Sequence, residues 1–100
     1  MTVVKVKETW VKKKVVDFLK LKGIYYFFPV AGGFMQNGVP DIVCCVNGKF
    51  IGIECKAGKN KTTAIQDKNI RAIQASGGIA MVINEDNLEY MKEVINEALL

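Results

Sequence analysis

The dipeptide Asn47-Gly48 is the feature that most constrains the fold of this chain. It separates two mostly apolar runs, residues 41–46 and 49–56, within the stretch GVPDIVCCVNGKFIGIECK. Asn-Gly between such runs is the strongest short signal for a two-residue β-hairpin turn. The sequence therefore predicts two antiparallel strands whose register is fixed by this turn.

This register brings two carboxylates together. Counting outward from the turn places Asp41 opposite Glu54, and Lys56 shares their face because side chains alternate along a strand. Directly opposite residues have Cβ atoms about 4.5–5.5 Å apart, so two acids there repel each other. The pair requires a proton, a nearby lysine or a bound cation. The other side chains of the second strand are predicted to face the core: Ile51, Ile53 and Cys55.

A hard divalent cation is one solution for the paired acids. Mg²⁺ accepts one or two carboxylates together with backbone oxygen, phosphate and water. Lys56 beside it could orient a water molecule or neutralise charge developing on a phosphate, which indicates phosphodiester hydrolysis. The alternative is a solvated strand face on which Glu54 and Lys56 form a weak ion pair.

Several chemistries are excluded by residues that the chain lacks. It contains no histidine, so mechanisms that use an imidazole as base, acid or zinc ligand are ruled out. Ser76 is the only serine and lies in a predicted helix end. Of the three cysteines, Cys44 and Cys45 are neighbours, which argues against zinc and disulfide frameworks and predicts small buried side chains in a reducing compartment.

Length and charge set broad limits. One hundred residues suffice for a single domain over residues 1–100 but not for a second core. The net charge of +4 favours a polyanionic partner. No apolar run reaches the ~20 residues of a membrane span, and no secretory signal is evident, so we expect a cytoplasmic protein.

The hydrophobic pattern predicts the remaining elements. Apolar residues spaced by three and four predict a helix from Glu8 to about Lys22, with Lys12, Lys13 and Lys14 mainly on its other faces. IYYFFPV is predicted to be a strand, and AGGFMQNG a mobile loop. Thr63 and Gln66 form a capping-box signature for a second helix that ends at Gly77-Gly78.

Two further elements complete the chain. IAMVI is predicted to be a short strand, and a last helix is predicted from about Asn87. The order is helix, three strands, helix, strand, helix, which predicts an α/β fold with a mixed four-stranded sheet flanked by helices. One face of the last helix is predicted to contain Leu88, Met91, Ile95 and Leu99.

The motif GVPD, twelve residues, then ECK resembles the Pro-Asp…(Asp/Glu)-x-Lys signature of the restriction-endonuclease-like nuclease superfamily. The surrounding arrangement is most similar to small stand-alone VRR-NUC domains, over residues 8 to about 83. The resemblance implies a restriction-endonuclease-like core.

The resemblance also implies roles for individual residues. Asp41 and Glu54 would be metal ligands, together with the backbone carbonyl of Cys55, and Lys56 would be the catalytic lysine. Glu8 and Gln66 also match positions of the family. Each has a structural explanation as well, because a glutamate is favoured at a helix N-terminus and a glutamine suits the capping box. The implied contacts to DNA are made by Lys59, Lys61 and Gly38.

The activity implied by the resemblance is that of a Mg²⁺- or Mn²⁺-dependent endonuclease. Such small proteins act as homodimers on branched DNA, including four-way (Holliday) junctions, and the family suggests a phage or mobile-element origin. A less selective nuclease that cuts flaps or single strands is an alternative. A second alternative is a DNA-binding module without catalysis, although binding alone does not require two opposed acids.

Overall fold

The computed structural model describes residues 5–30 and 37–100. None of the helices within these residues is long and apolar enough to cross a membrane. The α/β class and the order of elements predicted from the sequence are confirmed. The elements are α1 (Glu8–Leu21), β1 (Tyr25–Phe27), β2 (Ile42–Val46), β3 (Lys49–Cys55), α2 (Ala64–Ala75), β4 (Ile79–Ile83) and α3 (Leu88–Ala98).

The hairpin has the predicted register. Asn47 and Gly48 both have positive φ, 51° and 83°, as a tight hairpin turn requires. Pairing runs outward from the turn to Ile42 opposite Ile53. The sheet order is β1-β2-β3-β4, with β1 antiparallel to β2 and β4 parallel to β3. The hairpin therefore forms the centre of a mixed sheet.

The main core lies on one face of this sheet, beneath α1 and α3. The inward face of β3 is fully buried there, as predicted, and its side chains pack with apolar residues of both helices. The helical residues occur at spacings of three and four, so each helix buries one stripe. The buried helical residues are Val11, Val15, Phe18, Leu19, Met91, Ile95 and Ala98.

Helix α2 packs on the opposite face and is more exposed. None of its residues is buried. It approaches β3 at Gly52, where an added Cβ would lie 2.8 Å from Pro40 Cγ and 3.1 Å from Ile73 Cδ1. Gly52 thus allows both the helix and the segment before β2 to pack closely on the strand.

Of the residues predicted to share one face of the last helix, Met91 and Ile95 are buried, whereas Leu99 lies just beyond the helix end and is exposed. One prediction of burial is wrong. Cys45 is exposed rather than buried, because it faces the side of the sheet that carries α2, and α2 lies over β4 and over Gly52 of β3. Cys44 and Cys55 are buried as predicted.

The strand predicted in IYYFFPV is shorter than its apolar run. Only Tyr25–Phe27 pairs with β2, and Pro29 soon follows, which has no backbone N–H to extend the pairing. Most of the predicted mobile loop, residues 31–36, lies outside the described residues.

Candidate active site

The predicted site residues meet at the edge of the sheet where β2 begins and β3 ends. Strands β3 and β4 are parallel, so their C-terminal ends lie at this same edge. The backbone N–H of Lys56 still donates to the Ile83 carbonyl, over 2.9 Å, just past the end of β3. The first turns of α1 and α2 approach this edge from opposite faces. Open α/β sheets commonly bind ligands at such an edge.

Asp41 is held at this edge by its two carboxylate oxygens. The backbone N–H of Cys55 donates to Oδ2 over 2.8 Å. The ammonium of Lys12, on α1, lies 3.4 Å from Oδ1. The carboxylate is therefore fixed to the end of β3 through one oxygen and faces a side-chain cation through the other.

The segment that leads into Asp41 is clamped by α2. Gly38 has a φ of +77°, and a Cβ added there would lie 2.8 Å from the backbone carbonyl carbon of Ile65. Asn69 donates from Nδ2 to the Asn37 carbonyl over 3.1 Å. Gly38 therefore has a packing role, since only glycine fits both the conformation and the contact.

Glu54 is a buried acid, with 3% of its surface exposed. Burial, followed by the hydrogen bond and the negative charge of Asp41, raises the pKa of Glu54 to about 8. The positive charge of Lys56 lowers this pKa, whereas the negative charge of Glu8 raises it further. The two acids that the hairpin register predicts to be opposite are thus in direct electrostatic contact.

Gln66 makes both interactions that the sequence left as alternatives. Its Oε1 accepts from the backbone N–H of Thr63 over 2.9 Å, and its own N–H donates to Thr63 Oγ1 over 3.2 Å, which completes the capping box. Its Nε2 donates to Glu54 Oε1 over 3.1 Å. The side-chain amide of Gln66 therefore caps the start of α2 and also orients the carboxylate of Glu54.

Lys56 and Glu8 lie within electrostatic reach of Glu54. Both are half-buried, Lys56 directly after β3 and Glu8 at the start of α1. No group of three His, Cys, Asp or Glu side chains within residues 5–30 and 37–100 is close enough to hold a metal ion. The structure therefore brings Asp41 and Glu54 together but does not add Glu8 as a third side chain of one cluster.

The donors at this edge suit Mg²⁺ or Mn²⁺. Asp41 and Glu54 provide two adjacent carboxylates whose mutual repulsion a divalent cation would relieve. Mg²⁺ commonly binds through only one or two carboxylates and keeps several water molecules, so a third acidic side chain is not required. The residues present therefore fit such an ion.

The predicted DNA-contacting lysines lie on the loop after β3 and are exposed. Lys59 lines a groove of about 780 Å³ that runs between this loop and the start of α1. Lys5 and Lys7 line the same groove, whereas Lys61 is not among its lining residues. Two acids, Glu8 and Glu85, also line the groove and partly offset its three lysines. The groove adjoins the acidic edge through Glu8.

Lys12 belongs to this site although its sequence pattern did not indicate it. It was predicted to lie mainly on an outer face of α1, but it is half-buried and pairs with Asp41. The available signal was its position four residues after Glu8, which places the two on the same side of a helix. What the sequence could not supply was the orientation of α1 relative to the start of β2.

Comparisons with known proteins point to nucleases. Residues 4–77 match the family model described as archaeal Holliday junction resolvase (hjc), a range that includes Asp41, Glu54, Lys56 and Gln66. The chain is 32% identical over 93 residues to "Putative nuclease p44" of Acyrthosiphon pisum secondary endosymbiont phage 1, which covers 91% of this chain and 97% of that protein. No solved structure matches at a significant level.

These matches support the superfamily inferred from the motif. The hjc family belongs to the restriction-endonuclease-like nucleases. The narrower resemblance to VRR-NUC domains is not confirmed and stays a prediction.

Proposed function

Because this chain belongs to the archaeal Holliday junction resolvase (hjc) family, we propose that it is a Mg²⁺- or Mn²⁺-dependent endonuclease that cuts branched DNA in the cytoplasm. Four-way junctions are its proposed substrate. The observation that supports this most directly is the contact of Asp41 with the buried Glu54. Such a pair is unfavourable for folding alone but suits a cation at a phosphodiester.

Asp41 and Glu54 would hold the cation, and the backbone carbonyl of Cys55 is proposed as a further oxygen ligand. When bound, a divalent cation activates water and neutralises charge on the phosphate that is attacked. The protein fixes both carboxylates in advance, Asp41 through the Cys55 N–H and Glu54 through Gln66. This orientation lowers the reorganisation required when substrate binds.

The lysines supply the positive charge that a phosphodiester requires. Lys56 lies close enough to Glu54 to affect its pKa, so it is placed to stabilise negative charge developing on the reacting phosphate. Lys59 and Lys61 are proposed to contact backbone phosphates beside the cut. Such contacts recognise the shape and charge of DNA rather than its sequence.

A homodimer is part of this proposal, since a four-way junction has two-fold symmetry and two cuts resolve it. The homodimer is supported by exposed apolar side chains on the face of the sheet that carries α2. There, Tyr25 pairs with Cys45, and Cys45 pairs with Phe50, in a row across β1, β2 and β3. Tyr25 is 71% exposed, and Phe27 and Phe50 are each 47% exposed. An apolar row of this kind suits an interface with a second copy.

The proposed activity is tested by cleavage of a labelled four-way junction, a flap and a linear duplex, with Mg²⁺ or with EDTA. We expect cleavage of the junction in Mg²⁺ and none in EDTA. Lys56→Ala should reduce the rate about 100-fold or more, because it removes a charge that stabilises the transition state. Lys49→Ala, at the other end of β3, is the matched control and should cut at the wild-type rate.

The same experiment separates the alternatives. Cleavage that persists in EDTA or in Lys56→Ala would refute the mechanism. Preferential cutting of the flap would indicate a less selective nuclease, and binding of the junction without any cleavage would indicate a DNA-binding module.

A further inference from the structure

The contact between Lys12 and Asp41 links α1 to the proposed metal ligands. Lys12 Nζ lies 3.4 Å from Asp41 Oδ1, and the lysine side chain is 37% exposed. The other oxygen, Oδ2, accepts the Cys55 N–H over 2.8 Å. One oxygen of Asp41 is therefore held by the backbone, and the other is paired with a flexible side chain.

The two partners of Asp41 differ in how readily they can leave. The Cys55 N–H belongs to β3 and cannot move away without breaking the strand. The Lys12 ammonium lies at the end of four flexible bonds and has access to water, so its release costs little. Oδ1 is the oxygen of Asp41 that accepts no backbone N–H, and it faces Lys12. A divalent cation that binds Asp41 through Oδ1 would therefore meet the Lys12 ammonium.

We infer that Lys12 is an exchangeable counter-ion of Asp41, which a divalent cation displaces from Oδ1 when it binds. The inference rests on the proposed metal-dependent function. Lys12 neutralises part of the acidic pair until the cation takes over, and it therefore competes with that cation. Lys12 is a positioning residue in this account, because it acts through Asp41.

Competition makes a specific prediction about the affinity for Mn²⁺. Lys13 offers a matched control, since it is the next residue of α1, carries the same charge and pairs with Asp17 over 2.9 Å at an exposed position. Lys12→Met should bind Mn²⁺ roughly three- to five-fold more tightly than wild type, whereas Lys13→Met should stay within about 1.5-fold. Lys12→Arg keeps the counter-ion and should resemble wild type. Free Mn²⁺ measured by electron paramagnetic resonance at low salt gives these affinities.

A second readout follows from linkage between binding and folding. Without added metal and in EDTA, Lys12→Met should melt at a lower temperature than Lys13→Met, because its acidic pair has lost its counter-ion. Saturating Mn²⁺ should remove this difference, since the cation replaces the lost charge.

The outcomes separate this inference from the proposed function. If wild type binds Mn²⁺ and Lys12→Met binds it equally or more weakly, the competition is refuted while the metal site stands. If neither wild type nor any variant binds Mn²⁺, the metal site itself is refuted, and the inference fails with it.

Discussion

The most unusual residue of the molecule is Glu54, a carboxyl group buried beside another one. A buried acid normally loses its charge or finds a partner, because burial disfavours the ionised form. Here the neighbours are Asp41, which disfavours ionisation further, and Gln66, which donates to Oε1 of Glu54. The residue is therefore costly for the fold, which is typical of residues kept for chemistry.

The raised pKa of Glu54 predicts stability that depends on pH. In the unfolded chain Glu54 ionises near its ordinary pKa of 4.5, whereas in the folded protein its pKa is about 8. Between these values the folded state binds more protons than the unfolded state, so the free energy of unfolding falls as pH rises. In EDTA, the melting temperature of wild type should fall from pH 5 to pH 8.5, and Glu54→Gln should flatten that slope.

The control for this measurement is Glu89→Gln, on an exposed position of α3. It should keep the wild-type slope, because Glu89 forms only a surface ion pair with Lys92. Equal slopes in wild type and Glu54→Gln would show that Glu54 does not hold its proton in the folded protein.

At the scale of elements, the start of α2 is coupled to the site. The capping box that begins the helix and the hydrogen bond that orients Glu54 share one side chain, that of Gln66. The same helix clamps the segment before Asp41 through Gly38 and Asn69. Although α2 has no buried residue, it positions both carboxylates.

Two substitutions separate the roles of Gln66. Thr63→Ala and Gln66→Ala should each lower the free energy of unfolding by about 1 kcal/mol, because each breaks the capping box. Only Gln66→Ala also removes the donor to Glu54, so only it should slow cleavage of the junction, by roughly ten-fold. Urea denaturation and cleavage rates measure the two effects.

The comparison between these variants decides which role matters for activity. A cleavage rate in Thr63→Ala as low as that in Gln66→Ala would attribute the loss to helix capping rather than to the contact with Glu54.

At the scale of the whole molecule, the two faces of the sheet are covered unequally. Helices α1 and α3 bury most of one face, whereas the other carries only α2. Tyr25 and Phe27 of β1 and Phe50 of β3 stay exposed beside it. Large exposed apolar side chains gathered on one face are typical of an interaction surface.

This asymmetry predicts how the homodimer can be disrupted. Phe27→Glu places a charge on the same exposed face, next to the row of Tyr25, Cys45 and Phe50. It should convert a dimer into a monomer, because an unpaired charge in an apolar interface is strongly unfavourable. Size-exclusion chromatography with light scattering gives the mass directly. Tyr90→Glu, at a 54% exposed position of α3, is the matched control and should leave the mass unchanged.

A dimer that survives Phe27→Glu but not Tyr90→Glu would place the interface on α3 instead. A wild-type protein with the mass of a single chain at micromolar concentration would remove the dimer from the proposal.

Local chemistry explains why much of this molecule could be predicted from its sequence. The Asn47-Gly48 turn and the alternation of side chains along a strand set the register, and the register alone predicts that Asp41 meets Glu54. Apolar spacing likewise predicts α1 and α3, which each bury one stripe, and the capping-box signature predicts the start of α2. These inferences need only residues that are near one another in the chain or joined by one turn.

Other features were decided only by the tertiary structure. The pairing of Lys12 with Asp41 depends on how α1 lies across the end of the sheet, and the exposure of Cys45 depends on which strands α2 covers. The double role of Gln66 requires the first turn of α2 to sit beside the end of β3. Side-chain pattern determines which face of an element is apolar, but contacts between distant elements follow from packing of the whole chain, which no local pattern encodes.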